Sequence, residues 1–532
     1  MRSWLTSPLP WQALAWLLFA AAAWLPLTPL LAPLFDGSGL AALADPRLLG
    51  LLGRTLWMSA ASAVLAIALG LAYAVLCVRV RTPGARLLET LLPLPLLLPP
   101  LILAQAWFGL AELRGPWAAV FTLGLATAPL PGLLAARSLR RQQASAHESA
   151  LLCGPGLALR EMLSTAAPAT LLGGLLAFFL AASDFAVPDY FAVQQPLFHV
   201  YAMEIFGHSR SASYADGAAA ALPLVLLGLA GLFGALALQR RVRAAEVGGG
   251  RAPQPFDTGF AAKAVAAAAL LTLAGLLILL PLGRILQETG NSGPLDPRSW
   301  SEVSRTAFAQ VFERARSDFR NSLSFALLAA ALVFLAAPFW AHALLRLERR
   351  SGTLARLGGA ALAAAAALPL LVPAVALGFG AILTLDRPGL RGFYDSVWLP
   401  ALLLAGRYGP IALFLLLERM RAVPEAQEDA AVLAGAAYPA RVARYRLGPQ
   451  AGGWWLAAGL VFVFALRELD LNILVSPMNH SASVRYYNAL HFSRDNFVAA
   501  CGVVLCLLLW LPLAAGTAWR ALRASRGGGS GA

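Results

Sequence analysis

The chain has 532 residues and a formal net charge of +14; 59% of the residues are hydrophobic, only 13% are charged, and the mean hydropathy is +0.69. This composition excludes a soluble globular domain and indicates an integral membrane protein. The basic residues are dispersed through short segments, which argues against a nucleic-acid interface. The spacing of the four cysteines indicates neither a disulfide framework nor a metal site.

Apolar runs near or above the roughly 20 residues needed to cross a bilayer recur along the whole chain. None alternates as a strand would, so we expect an all-α membrane protein. More of the Lys and Arg residues lie on the side that holds both chain ends, so we predict both termini in the cytoplasm. The twelve predicted spans are 11–34, 51–78, 87–111, 117–136, 170–188, 217–239, 263–283, 320–344, 357–384, 397–418, 453–475 and 498–519.

The sequence contains an internal repeat. "LPLLLPP" begins at Leu94 in the third predicted span, and "LPLLVPA" begins at Leu368 in the ninth, six helices later. Because six is even, the two copies are expected to share one orientation. We predict a first repeat over 1–245, a cytoplasmic linker over 246–262, a second repeat over 263–520 and a flexible cytoplasmic tail over 521–532, whose "GGGSGA" end is a linker or a non-native addition.

A second pair of matching segments lies between the fourth and fifth spans of each repeat. "HESALLCGPGLALREMLSTAAP" begins at His147, and "QEDAAVLAGAAYPARVARYRLGP" begins at Gln427. Loops usually lose a shared pattern, so its retention indicates more than a simple connection. A shift of 281 places Glu148 on Asp429, Ala150 on Ala431, Gly154 on Gly435 and Pro168 on Pro449.

Each copy is expected to fold as a short helix, a turn and a second helix across the cytoplasmic face. In the second copy, a Pro-Glu pair ending at Glu425 suits a helix start. Gly154 and Gly435 allow the backbone to turn without a Cβ clash. Pro168 and Pro449 suit the first turn of the following helix and not its interior, so they should mark the return into the membrane.

These segments resemble the EAA loops in permease subunits of binding-protein-dependent ABC importers, because "ESALLCG" and "DAAVLAG" are each followed by a Gly-to-Pro spacing of fourteen. The resemblance implies a type I importer permease fold, with two parallel six-helix repeats fused in one chain. It implies that each loop holds a coupling helix that docks on a cytoplasmic ABC ATPase subunit, two copies in all, and that a periplasmic substrate-binding protein delivers the solute. The matching residues are Glu148, Ala150, Gly154, Pro168, Asp429, Ala431, Gly435 and Pro449.

The two copies depart from the family pattern in detail. Ser149 replaces the preferred Ala in the first copy, and Asp429 replaces Glu in the second. Ala167 and Gly448 stand where Leu usually precedes Pro. These departures leave open whether the two docking sites are equivalent.

Two further segments narrow the resemblance. "LPLLLPPLILAQAW", from Leu94, and "SDFAVPDYF", from Ser183, look like the fused permeases for ferric iron, and less closely like thiamine and phosphonate permeases. This likeness implies ferric iron as the solute and the bacterial inner membrane as the location. Thiamine, phosphonates, other oxyanions and polyamines remain open.

Charged residues within predicted spans are candidates for a gate or a translocation path. Asp184 lies near one end of the fifth helix, and Arg467, Glu468 and Asp470 lie near the matching end of the eleventh. The simpler interpretation, which we favour, is ion pairing near the external surface, with Arg467 and Glu468 neutralising each other. Arg407 lies in the tenth helix, where it faces a wet cavity unless that helix begins later.

The chain lacks the residues of an ATPase or a metal site. Its only lysine, Lys263, follows Ala262, so the Gly-Lys pair of a P-loop is absent, and ATP and Mg are expected on the partner ATPase. No catalytic site and no cofactor are predicted on this chain. The six histidines lack ligand spacing and are predicted to be ordinary surface histidines.

Two other functions compete with the importer permease. An ion-coupled secondary transporter also suits twelve spans in two halves, but it needs acids buried in mid-helix, of which the sequence offers few. A membrane-embedded enzyme lacks a recognisable nucleophile and base. The importer permease is therefore the leading prediction.

Overall fold

The structure, a computed structural model, describes residues 6–39, 44–193, 196–245, 253–256, 259–292, 296–448, 451–475, 479–492 and 496–527. Within these residues the chain is helical apart from turns and one isolated parallel β-bridge, between Val80 and Phe256. Nine helices of this part of the chain are long and apolar enough to cross a membrane, or up to eleven if two bent pairs each form one span. The chain is a helical, multi-pass membrane protein.

In the described residues before the predicted linker we number ten helices. They are α1 (Leu9–Leu34), α2 (Pro46–Val78), α3 (Ala85–Leu97), α4 (Pro100–Ala111), α5 (Gly115–Arg141), α6 (Ala144–Leu152), α7 (Pro155–Ser183), α8 (Ala186–Ala192), α9 (Tyr201–Arg210) and α10 (Tyr214–Ala245).

In the described residues of the second part we number twelve helices, besides two short helical turns, Pro388–Leu390 and Arg391–Tyr394. The helices are α11 (Phe260–Glu288), α12 (Trp300–Arg314), α13 (Arg316–Arg349), α14 (Thr353–Leu371), α15 (Ala374–Leu385), α16 (Trp398–Arg421), α17 (Glu425–Leu433), α18 (Tyr438–Arg446), α19 (Ala451–Arg467), α20 (Asn472–Val475), α21 (Ala482–Phe492) and α22 (Asn496–Gly527).

Capping residues set the start of two of these helices. The Asp45 carboxylate accepts the Arg47 N–H at 2.8 Å, and Pro46 fills the first turn of α2. Ser299 and Glu302 form a reciprocal capping box at the start of α12. Side-chain acceptors therefore satisfy N–H groups that have no partner inside the helix.

Two spans predicted as continuous helices are interrupted. Within 87–111, α3 and α4 meet at a bend of 102°. Within 357–384, α14 ends at Leu371 and α15 begins at Ala374. Helices also end at Ser183, inside the predicted span 170–188, and at Arg467, inside the predicted span 453–475. The apolar described part of the last span, Asn496–Pro512, is shorter than any of the nine long apolar helices.

Proline explains both interruptions. Pro100 and Pro373 have no N–H to donate to the carbonyl groups of Leu96 and Pro369, four residues earlier. Proline also restricts the residue before it to extended backbone, and Val372 has ψ 138°. Each break therefore leaves carbonyl groups that need a donor from elsewhere.

One boundary prediction is wrong. Pro168 lies inside α7, because Pro155 already occupies the first turn of that helix after Gly154. The last helix, α22, extends to Gly527, into the tail predicted from residue 521. Pro449 and residues 528–532 lie outside the described residues.

The first helix of each predicted repeat packs against the other repeat. In α1, the Ala15 carbonyl accepts a hydrogen bond from Trp340 Nε1 of α13 at 2.6 Å, and a Cβ at Gly406 of α16 would collide with the Ala22 carbonyl. In the same way, Leu270 of α11 shares a buried apolar cluster with Tyr73 of α2. The two parts of the chain are thus interlocked.

Matching contacts recur in the two parts. Arg47 of α2 pairs with Glu204 of α9 through two hydrogen bonds, 2.9 and 2.8 Å long. In the second part, Asp318 of α13 pairs with Arg485 of α21 at 2.8 Å, with the signs exchanged. In both, the pair ties the start of a long helix to a short helix.

The ends of α5 and α16 lie side by side. Arg137 Nη2 is 4.0 Å from Glu418 Oε2, and these two residues are 281 positions apart, the shift that relates the two repeated segments. When two halves are related by a two-fold axis, equivalent residues of the two halves come into contact only near that axis. Because α6 and α17 follow α5 and α16 directly, both lie at one end of the molecule. We call this the loop end and the opposite side the far end.

Candidate functional site

The two repeated segments form two short helices with equivalent bounds. A shift of 281 carries α6 (Ala144–Leu152) onto α17 (Glu425–Leu433), residue for residue. α17 begins at Glu425, as the sequence predicts. Each helix is followed by a glycine with positive φ, +127° at Gly154 and +72° at Gly435, so the chain turns where it was expected to turn.

One face of each short helix carries an acid and a leucine that the chain leaves exposed. Glu148 and Asp429 are exposed, and Leu152 and Leu433, four residues further on, are 90% and 88% exposed. Residues four apart lie on the same side of a helix. The acid and the leucine thus form a small patch at the same position in both copies, available to a partner.

The opposite face of α6 is buried and anchored to α7. Ala150 is buried, and His147, 2% exposed, places Nδ1 3.2 Å from Oε2 of Glu161. Gln142 donates to the same carboxylate oxygen, and Thr165 Oγ1 donates to the other at 3.2 Å. The carboxylate of Glu161 therefore fixes the position of α6.

α17 is anchored in a similar way, with the acid now on the short helix. Ala431 is buried, and Glu428, at the position equivalent to the histidine of the first copy, contacts His342 Nε2 at 3.0 Å and Arg446 Nε at 2.6 Å. Arg446 is buried and also donates to the Val423 carbonyl at 2.9 Å. Burial alone would raise the pKa of Glu428, but the bonds from His342 and Arg446 outweigh it and lower the pKa to about 2.

We predict that Glu428→Gln loosens α17. Because the pKa of Glu428 lies below its usual 4.5 in the folded chain, the carboxylate stabilises the anchor fully above pH 4.5 and loses this effect as the pH falls towards 2. Amide hydrogen exchange at pH 7 should become roughly 10- to 100-fold faster in α17 and α18. Glu425→Gln is the matched control, since Glu425 is 60% exposed and its pair with Arg349 contributes little. Equal acceleration in both variants would contradict the anchoring role of Glu428.

Each repeated segment also touches the first helix of the other repeat, or the residues just before it. The ring of Phe256, just before α11, lies 5.4 Å from the ring of His147 in α6. Gln12, in α1, donates at 2.8 Å to the hydroxyl of Tyr438 in α18, the helix that follows α17. The two repeated segments are therefore coupled to both halves of the molecule.

The second candidate region is a cluster of charged side chains at the helix breaks. Arg407 lies inside α16 and is 4% exposed, so the suggestion that this helix begins later is wrong. Its Nη1 donates to the Pro369 carbonyl at 3.1 Å and to the Val372 carbonyl at 2.8 Å. These carbonyls lie where Pro373 ends α14, so Arg407 supplies the donor that the proline lacks.

Arg467 does the same for the first break. Its Nη1 donates to the Leu96 carbonyl and, at 3.1 Å, to the Leu98 carbonyl, at the junction of α3 and α4. Arg467 thus forms a contact between the two repeats, while Glu468 stays within electrostatic range of its guanidinium. Glu468 also accepts hydrogen bonds from the Tyr408 hydroxyl and, at 3.1 Å, from the Leu471 N–H.

The predicted acids occupy matching positions. Asp184 Oδ1 accepts the Val187 N–H at 2.9 Å, just as Glu468 accepts a main-chain N–H three residues further on. Each acid thus caps the turn that follows a long helix. Asp184 and Asp470 both lie within electrostatic range of Arg467 and Glu468, so the structure brings Asp184, Arg467, Glu468 and Asp470 together.

Two histidines are buried, contrary to the prediction. His147 and His342 were predicted at the surface, but they are 2% and 1% exposed and anchor the two short helices. Glu161 and Arg446 were not predicted at all. No shared spacing signals them, since Glu161 lies seven residues after Gly154 and Arg446 lies eleven residues after Gly435. Their partners could not be identified without the fold.

A comparison of the chain with models of protein families, and a search of curated proteins, found no match. In the described part of the chain, no three His, Cys, Asp or Glu side chains lie together as a metal site would require.

Proposed function

We propose that this chain is the permease subunit of an ABC importer, which moves a small solute from a periplasmic binding protein to the cytoplasm. The observation that carries the proposal is the pair of short helices α6 and α17. They have equivalent bounds, lie at one end of the molecule, and expose an acid and a leucine at the same positions. Two similar docking elements fit two copies of one ATPase subunit.

The packing supports the fold that goes with this function, twelve membrane helices in two parallel six-helix repeats. The matched ion pairs, the contact between Arg137 and Glu418, and the exchange of α1 and α11 between halves all suit two similar halves related by an axis along the membrane normal. In this arrangement the loop end faces the cytoplasm of a bacterium, and both termini lie there.

The proposed mechanism is alternating access. Closure of two ATPase subunits around ATP pulls on α6 and α17, and each transmits the movement to a long helix through its anchor, Glu161 in the first copy and Glu428 in the second. The two halves then rock, and a path between them opens to the far end. Because α6 also touches the segment before α11, and α18, directly after α17, touches α1, both halves respond together.

Ferric iron is the solute that we propose, with thiamine, phosphonates and polyamines as alternatives. The choice of ferric iron is supported by two segments, Leu94 to Trp107 and Ser183 to Phe191, which resemble the fused permeases for ferric iron. The iron would be cargo, captured by the separate binding protein and released into the path.

One observation favours a second candidate, an ion-coupled secondary transporter. Asp184, Glu468 and Asp470 lie together beside the helix breaks, and clustered acids inside a membrane bundle are typical proton carriers. Under this function, uptake would survive ATP depletion and collapse with a protonophore.

The native mass of the gently purified complex tests the proposal. We expect two ATPase copies for each copy of this chain, because the chain carries two equivalent docking helices. The identity of the copurified binding protein, and its bound ligand, would then name the solute. A chain that comes out alone, under conditions that preserve other such complexes, would favour the secondary transporter.

A further inference from the structure

The two helix breaks are capped by arginines in different ways. Arg407, in α16, caps the break between α14 and α15, and all three helices belong to the second half. Arg467, in α19, caps the break between α3 and α4 in the first half, 369 residues from Leu98. One cap therefore acts within a repeat, and the other joins the two repeats.

The carbonyl groups at a break cannot be left without donors in a dry membrane interior. Pro99 and Pro100 provide no N–H groups at the first break, so Arg467 is the donor for Leu96 and Leu98. If the two repeats separate at this place, the hydrogen bonds from the Arg467 guanidinium to the Leu96 and Leu98 carbonyls break together. Separation therefore requires either water or new partners.

Arg467 has alternative partners in its own repeat. Glu468 and Asp470 lie within electrostatic range of its guanidinium, and so does Asp184 of the first repeat. When Arg467 leaves the carbonyls of the first break, its guanidinium can pair with Glu468 or Asp470, which belong to the same repeat. Two arrangements of the same charges are thus available, one that joins the repeats and one that does not.

Other polar contacts between the repeats lie on the same side of the interface. The Tyr486 hydroxyl donates to Gln105 of α4. Asp189 of α8 accepts a hydrogen bond from the Tyr487 hydroxyl at 2.6 Å and lies 2.9 Å from His491 Nε2. Helices α4 and α8 of the first half are therefore tied to α21 of the second, and the interface is closed towards the far end.

We propose that Arg467 is a positioning residue of the transport cycle: it holds the two repeats together on the far side of the path by binding the Leu96 and Leu98 carbonyls, and it leaves them when the path opens. The proposal rests on the proposed function, because it needs two halves that rock against each other. Arg407, whose contacts stay within one repeat, keeps its partners throughout the cycle.

The matched variants Arg467→Met and Arg407→Met test this role. Spin labels at Val193 and Phe492, which are 62% and 90% exposed in the first and second half, report the separation of the halves. The four native cysteines are replaced first, and the purified chain is measured alone in lipid nanodiscs. We expect Arg467→Met to raise the population at longer label distances roughly tenfold or more, because it removes two charge-assisted hydrogen bonds across the interface. Arg407→Met should lower thermal stability and leave the distances unchanged.

Two results would overturn the proposal: unchanged distances in Arg467→Met, or an equal shift in Arg407→Met, which would indicate a merely structural cap. If Arg467→Met fails to insert, Arg467→Lys replaces it, since lysine keeps the charge and a donor but reaches less far. A smaller shift in the same direction is then expected, and the absence of any shift overturns the proposal. The measurement needs no ATPase, so it can fail or succeed independently of the copurification that tests the proposed function.

Discussion

Replacing Leu152 and Leu433 together by Asp is expected to remove the partner ATPase from the purified complex while the chain itself stays folded. Both side chains are almost fully exposed, at 90% and 88%, so neither contributes much to the fold. Surface changes of this kind usually alter stability by less than about 0.5 kcal/mol. An apolar anchor at the centre of an interface contributes roughly 2–4 kcal/mol, so binding at each helix should weaken about 30- to 1,000-fold.

The measurement is the mass of the complex and the number of ATPase copies that it retains. Leu354→Asp is the matched control, because Leu354 is 88% exposed at the start of α14, also at the loop end, but outside the two short helices. The single variants Leu152→Asp and Leu433→Asp show whether the two sites are equivalent. Full retention of both ATPase copies by the double variant would contradict docking at these helices.

Features that depend on local sequence could be predicted in advance. The helix start at Glu425 and the turns at Gly154 and Gly435 follow from residues close together in the chain. Each of these features is set by a main-chain preference, such as proline in a first turn or glycine at positive φ. Such preferences act within a few residues and can be read without the fold.

The helix breaks are harder to predict because proline and leucine are both apolar. A hydropathy pattern runs unchanged across Pro99 and Pro373, although the helix stops there. The start of α7 could not be predicted either, because both Pro155 and Pro168 suit the first turn of a helix. Either proline can start a helix, and only the turn at Gly154 decides that α7 begins at Pro155.

Contacts over long sequence separations could not be predicted from one sequence. The partners of Arg467 lie about 370 residues away, and His342 meets Tyr438 across 96 positions. A buried histidine and a surface histidine look the same in sequence, because burial depends on what packs against them. The anchors of α6 and α17, and the cap at the first break, therefore became visible only with the fold.

The glycines that follow the two short helices, Gly154 and Gly435, are expected to couple ATP hydrolysis to solute uptake. Gly154→Val and Gly435→Val should each reduce solute uptake at least tenfold, while the protein still inserts and the ATPase still hydrolyses ATP. No atom lies within 4 Å of a Cβ added at either position, so the side chain has room. The cost arises from the backbone, because φ is +127° and +72°, where a β-branched residue is strained by about 1–3 kcal/mol. Relief of that strain turns the short helix relative to the helix that follows and disturbs the transmission of force.

Gly156→Val and Gly452→Val are the controls, since a Cβ at either position also meets no atom within 4 Å and neither glycine has positive φ. The ratio of ATP hydrolysed to solute taken up, measured in vesicles with the copurified ATPase and binding protein, separates uncoupling from loss of protein. In the glycine-turn variants this ratio should rise, and in the controls it should stay near the wild-type value. Because the strain acts at a turn and not at the exposed patch, the ATPase copies should remain bound, unlike in the leucine variants. Unchanged uptake in both Gly154→Val and Gly435→Val would mean that these turns do not transmit the movement of the ATPase to the membrane helices.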